Sequence, residues 1–165
     1  MTPARSNLLK IVAAVALLAL AGLQTWRWLS QGSGVSESAY FYDLSEGKLF
    51  VAQRGLIPPI RGINDSTEDG VRAVVVSTNG QPEAASTRVI AYLEMYAPEL
   101  KQQLQSAQAA GTPPEISRTA AQSLRLVKRP QDSGWVSLAT PEGERIVGEW
   151  VHWGTDSAPP VICTP

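Results

Sequence analysis

The sequence predicts an α+β fold: an N-terminal transmembrane helix, then one small mixed domain of about five strands and three helices. Three observations carry this reading. An apolar run, Ile11 to Leu23, follows Arg5 and Lys10; two aromatic runs meet at a glycine turn between Ala39 and Gln53; and strand-like and helix-like patterns share the remainder.

The thirteen apolar residues from Ile11 to Leu23 are fewer than the about 20 that cross a bilayer as a helix. The segment extends from Leu8 to Leu29, 22 residues, with Lys10 at one end and Trp26, Arg27 and Trp28 at the other. Lysine snorkels, and tryptophan and arginine favour the membrane–water boundary. Arg5, Lys10 and the terminal amine precede the run and only Arg27 follows it, so the positive-inside rule places the N-terminus in the cytoplasm and the C-terminal domain outside. The lipid bilayer is thus the first expected partner. A cleaved signal peptide, cut at Ala19-Leu20-Ala21 to give a secreted protein, is the rival reading. Residues 1–30 are then tip and anchor, 31–38 a Gly/Ser linker, and 39–165 the extracytoplasmic domain.

Within Ala39–Gln53, Ser45-Glu46-Gly47 is a three-residue loop, with glycine where a left-handed conformation is needed. In that register Leu44 faces Lys48, Tyr42 faces Phe50 and Phe41 faces Val51. Gly55 to Gly70 is a long loop whose Pro58-Pro59 excludes helix and regular strand pairing. Val71–Ser77 is a buried strand that ends at an Asn79-Gly80 turn. Ser86 or Thr87 caps a helix with Val89, Ile90, Leu93 and Tyr96 on one stripe, broken before Pro98. A second helix starts at Pro98, buries Leu100 and Leu104 and stops at Gly111. Ser123–Arg129 is a half-exposed strand stopped by Pro130. Thr140-Pro141-Glu142 opens a third helix striped by Ile146, Val147, Trp150 and Val151, with Gly143 and Gly148 weakening it. Val161-Ile162-Cys163 is a short terminal strand.

Beyond residue 29 the chain holds eleven basic and fifteen acidic residues, a mildly acidic balance that argues against nucleic acid as a partner. The lone Cys163 allows no internal disulfide and leaves an intermolecular one open. No phosphate loop, nucleophile elbow, zinc-protease or dinucleotide fingerprint is present, and no cofactor is expected. A calcium loop anchored on Asp65, Thr67, Asp69 and Gly70 lacks its second half: Val76 stands where a bidentate glutamate is required. His152 and Cys163 are the one candidate nucleophile–base pair, without family-type context around either. Trp135, Trp150 and Trp153 crowd the C-terminal part as core residues or as a sugar-stacking surface.

The hairpin FYDLSEGKLF, the I-P-P-I stretch and the closing V-I-C-T-P resemble small, N-terminally anchored envelope proteins of planctomycete-like bacterial genomes. The resemblance implies a bacterial envelope setting and carries over no functional residue. The leading expectation is therefore a single-pass membrane protein whose outer domain is a non-catalytic interaction or assembly module for an unknown protein partner. Tyr40, Tyr42, Phe50, Pro58 and Pro59 are its candidate contact residues. An envelope glycan-binding module using the three C-terminal tryptophans is the alternative, and an enzyme built on Cys163 and His152 a third.

Overall fold

The computed structural model describes residues 18, 20–26, 36–64, 67–155 and 157–165. Residues 20–26 are helical, and Leu23 and Trp26 lie on that stretch. Lys10, Ile11, Arg27 and Trp28 fall outside the described residues, as do Ala19 of the candidate cleavage site and linker residues 31–35. Among the described residues, no helix is long and apolar enough to cross a membrane. The chain divides into two units, and the second, Ser36–Pro165, is the mixed domain.

That domain threads in the order β1 (Ser38–Asp43), β2 (Lys48–Gln53), β3 (Gly70–Ser77), β4 (Arg88–Tyr96), α1 (Pro98–Ala110), α2 (Arg118–Ser123), β5 (Arg125–Lys128), β6 (Val136–Ser137), α3 (Pro141–Gly148) and β7 (Val161–Ile162). The α+β class is as the sequence predicts; among the described residues there are seven strands rather than about five and, counting the stretch at 20–26, four α-helices. All strands join one antiparallel sheet in the order β2-β1-β3-β4-β5-β6, with β7 added to β3 beyond the end of β1.

The predicted hairpin forms, one residue out of the expected register. Asp43 pairs with Lys48, Tyr42 with Leu49 and Phe41 with Phe50. The cause is the Asp43 carboxylate, which accepts from the Glu46 N–H and the Ser45 hydroxyl and draws Leu44 into a four-residue loop closed by Gly47 at φ 65°. Aspartate side chains that bond the backbone two or three residues on stabilise such turns.

The largest correction concerns residues 88–96. They form strand β4, preceded by a single 3-10 turn at Ala85–Thr87, not a helix capped by Ser86 or Thr87. A bulge opposite Val74/Val75 inserts Ala91 as an extra residue, so the two-residue alternation changes phase midway. Val89, Ile90, Leu93 and Tyr96 consequently fall at helix-like intervals although the backbone is extended. Strand β3 is buried as predicted, and α1 follows its prediction: Pro98 opens it, Leu100 is 1% exposed, Leu104 is half-buried and Gly111 closes it at φ 65°. The short helix α2, capped by Ser117, is unanticipated.

One face of the sheet holds the core cluster Tyr40, Val71, Ala73, Val75, Leu93 and Cys163, with Tyr42, Leu44, Ile90, Met95 and Trp135 packed around it. Each large apolar side chain so buried contributes about 1.5–3 kcal/mol. Helix α3 packs on β4, β5 and β6 through Ile146, 1% exposed. Beyond Gly148 the chain tightens into a 3-10 turn, Glu149–His152, which turns Val151 out to 53% exposure and ends the predicted apolar stripe.

Candidate interaction surface

Strand β2 is six residues long and lies at one edge of the sheet; the opposite edge is the two-residue β6. The Arg54 N–H donates to the Glu37 carbonyl at 2.8 Å. Alternation from that bond aims the backbone polar groups of Ala52, Phe50 and Lys48 at β1 and those of Leu49 and Val51 away from the sheet. Side chains alternate with the same period, so Leu49 and Val51 share one face, the face of the core cluster. They are 41% and 53% exposed. An edge strand with free N–H and C=O groups beside exposed apolar side chains is a template for another strand.

Hydrogen bonds to Asp43, at the end of β1, tie down the tip of the hairpin. Asp43, 1% exposed, accepts from the Ile63 N–H at 2.6 Å as well as from Glu46 at 2.8 Å and Ser45 Oγ at 2.9 Å. These donors, the Glu46 amide first and the Ile63 amide second, hold its carboxyl below the usual aspartate range, against the opposing effect of burial. Asp69 Oδ2 accepts from the Ser45 N–H at 3.3 Å, and Asn64 donates to Glu46. The loop behind is pinned by Lys101, whose Nζ reaches the Pro59 carbonyl and Glu68, each at 2.6 Å. The hairpin loop and the β2–β3 loop are thereby tied to each other and to Asp43 at the end of β1. Asp65 of the weighed calcium loop lies outside the described residues, and Asp69 is engaged with Ser45. Among the described residues no three His, Cys, Asp or Glu groups gather as a metal site.

The same register draws a row across the opposite face: Phe50, Phe41, Arg72, Glu94, Val127 and Val136. Arg72 stacks 5.4 Å above Phe41 and donates through Nη2 to the Arg54 and Leu56 carbonyls at 2.7 and 3.0 Å. Glu94, 5% exposed, takes a 2.8 Å bond from Arg125 Nη2. Tyr92 and Tyr96 flank it on β4, and burial first, the Glu94 charge second, pushes both phenols up. The Nε atoms of Arg72 and Arg125 are buried without a hydrogen-bond partner. Glu94 is neutralised by its arginine, so this row joins strands rather than supplying a free acid or base. Sequence reasoning missed it; the signal was the isolated charge, Arg72, inside the apolar run Val71–Ser77.

The other sequence candidates are dispersed. Tyr40 and Pro58 are buried, and Tyr42, Phe50 and Pro59 are half-buried, so the exposed large apolar side chains of this hairpin are Leu49 and Val51. Cys163 is 4% exposed, and burial chiefly pushes its thiol up, with Arg88 acting in the opposite sense. His152 sits in the exposed turn after α3. Trp135 packs on the core under Lys128, whose Nζ lies 5.3 Å above the ring. Trp150 is half-buried and Trp153 is 40% exposed. Arg129, in the β5–β6 turn, pairs with Asp132 of the same turn at 3.2 Å and reaches Glu142 of α3 at 3.2 Å and Glu149 of the following 3-10 turn at 2.6 Å; Glu149 above all raises its pKa. Comparison with protein-family models, curated proteins and solved structures finds no match to this chain.

Proposed function

We propose that this chain is a single-pass, membrane-anchored protein of the bacterial envelope whose outer α+β domain is a non-catalytic docking module that engages a protein partner through strand β2. The observation that carries the reading is the open edge itself: outward-facing backbone at Leu49 and Val51, with both side chains exposed. The anchor is supported by the apolar run and its flanking charges, and by the exposure of Leu20, Leu23 and Trp26, between 61% and 74%, on the helical residues 20–26. The glycan reading has less support, because Trp135 packs on the core and Lys128 covers its ring.

A membrane-impermeant amine cross-linker applied to intact cells tests address and surface together. Lys48 opens β2 and its side chain is 65% exposed. The expected result is intermolecular cross-links from Lys48. No modified lysine anywhere in the domain would contradict the outward orientation; modified lysines without cross-links at Lys48 would contradict docking on this edge.

A further inference from the structure

We infer that the partner on β2 is a second copy of this chain, paired antiparallel about a two-fold axis through Phe50; the inference rests on the docking role of this edge. Among the described residues of β2, only Leu49 and Val51 present both backbone groups outward without a partner, because the Gln53 carbonyl is already taken by the Leu56 N–H at 3.2 Å. A register centred on Phe50 sets Leu49 opposite the partner's Val51, and Val51 opposite the partner's Leu49. All the free groups of both residues are then used, in four hydrogen bonds.

Side chains agree with that register. Leu49 lies beside Tyr42, which pairs with Val71, and Val51 lies beside Tyr40. Pairing therefore continues the apolar row Val71–Tyr42–Leu49 into the partner's Val51 and the partner's Tyr40. On the other face, Phe50 stacks 5.9 Å from Phe41 and would meet the partner's Phe50.

Charge selects among the alternatives. The Phe50-centred register sets Glu46 opposite the partner's Arg54 and Lys48 opposite the partner's Ala52. Moving the axis to Val51 sets Lys48 against the partner's Arg54, a like-charge pair. Moving it to Leu49 leaves Val51 opposite the turn residue Gly47. A one-residue slip would face apolar side chains with those of the opposite face. Six residues make a modest seam beside a standard protein interface, and shared attachment to one membrane raises the local concentration that it needs.

The test uses the full-length chain in detergent micelles, with Cys163→Ser so that only introduced thiols report. Leu49→Cys chains mixed with Val51→Cys chains are expected to give the mixed disulfide faster than either self-disulfide. The opposed pair stands about 5.5 Å apart at Cα, within disulfide reach, and the diagonal self-pairs at about 7–8 Å are not. Sedimentation is expected to show a dimer whose dissociation constant rises about tenfold or more on Val51→Lys. A monomer at every concentration, or a dominant Val51→Cys self-disulfide, overturns the proposal. If the chain is monomeric but Val51→Lys abolishes Lys48 cross-links to a different protein, the second copy is excluded and the docking edge stands. If Val51→Lys changes neither mass nor cross-links, both fall.

Discussion

Gly143→Ala is expected to destabilise the domain by about 2–4 kcal/mol, lowering its thermal midpoint by roughly 10 °C or more. Gly143 lies in the first turn of α3, after the Thr140 cap, which accepts from the Gly143 N–H at 3.1 Å. A Cβ there would overlap the Ser137 carbonyl oxygen and stand 2.8 Å from the Leu138 Cα. Both are backbone atoms, so the helix must lift, which loosens the seat of Ile146. Gly148, at the other end of α3, has open space where a methyl group would stand, with no atom within 4 Å, and a negative φ in the helical range. Gly148→Ala is therefore expected to stabilise by about 0.5–1 kcal/mol. Urea unfolding of the two variants reads the contrast. Equal effects would mean that α3 does not dock through Gly143.

Asp43→Asn should release the hairpin tip and flatten part of the acid response. The Asp43 pKa is depressed in the fold, so its contribution is complete above the unfolded aspartate value of about 3.9 and is lost as pH falls through the folded value. The parent protein should thus lose stability below about pH 4, and the asparagine variant should lack that component. At neutral pH, the Glu46 and Ile63 amides, which the carboxylate holds at 2.8 and 2.6 Å, should exchange about tenfold faster or more in Asp43→Asn. Unchanged exchange at both amides would remove Asp43 as the clamp.

Much of this architecture is legible in the sequence, and the failures have physical causes. Aromatic runs around a glycine announce β1 and β2, and Pro98 and Gly111 bracket α1 because proline starts helices and left-handed glycine ends them. The hairpin register is not legible, because it depends on where the Asp43 side chain bonds after folding. Strand β4 is concealed by its bulge, which converts alternation into helix-like spacing around Ala91. Gly143 looks like a weakness when only α3 is considered and becomes a requirement once Ser137 and Leu138 lie against it. The same limit applies to the surface. Aromaticity singles out Tyr40 and Phe50, but sheet order leaves Leu49 and Val51 facing out, and sheet order is a tertiary fact.

Residue-resolved amide exchange along β2 tests the docking edge most directly. In dilute isolated protein, Phe50 and Ala52, bonded to β1, should be protected, while Leu49 and Val51 exchange quickly. In the native membrane, protection is expected to appear at Leu49 and Val51 together. Open-rate exchange of both amides in the membrane would contradict it.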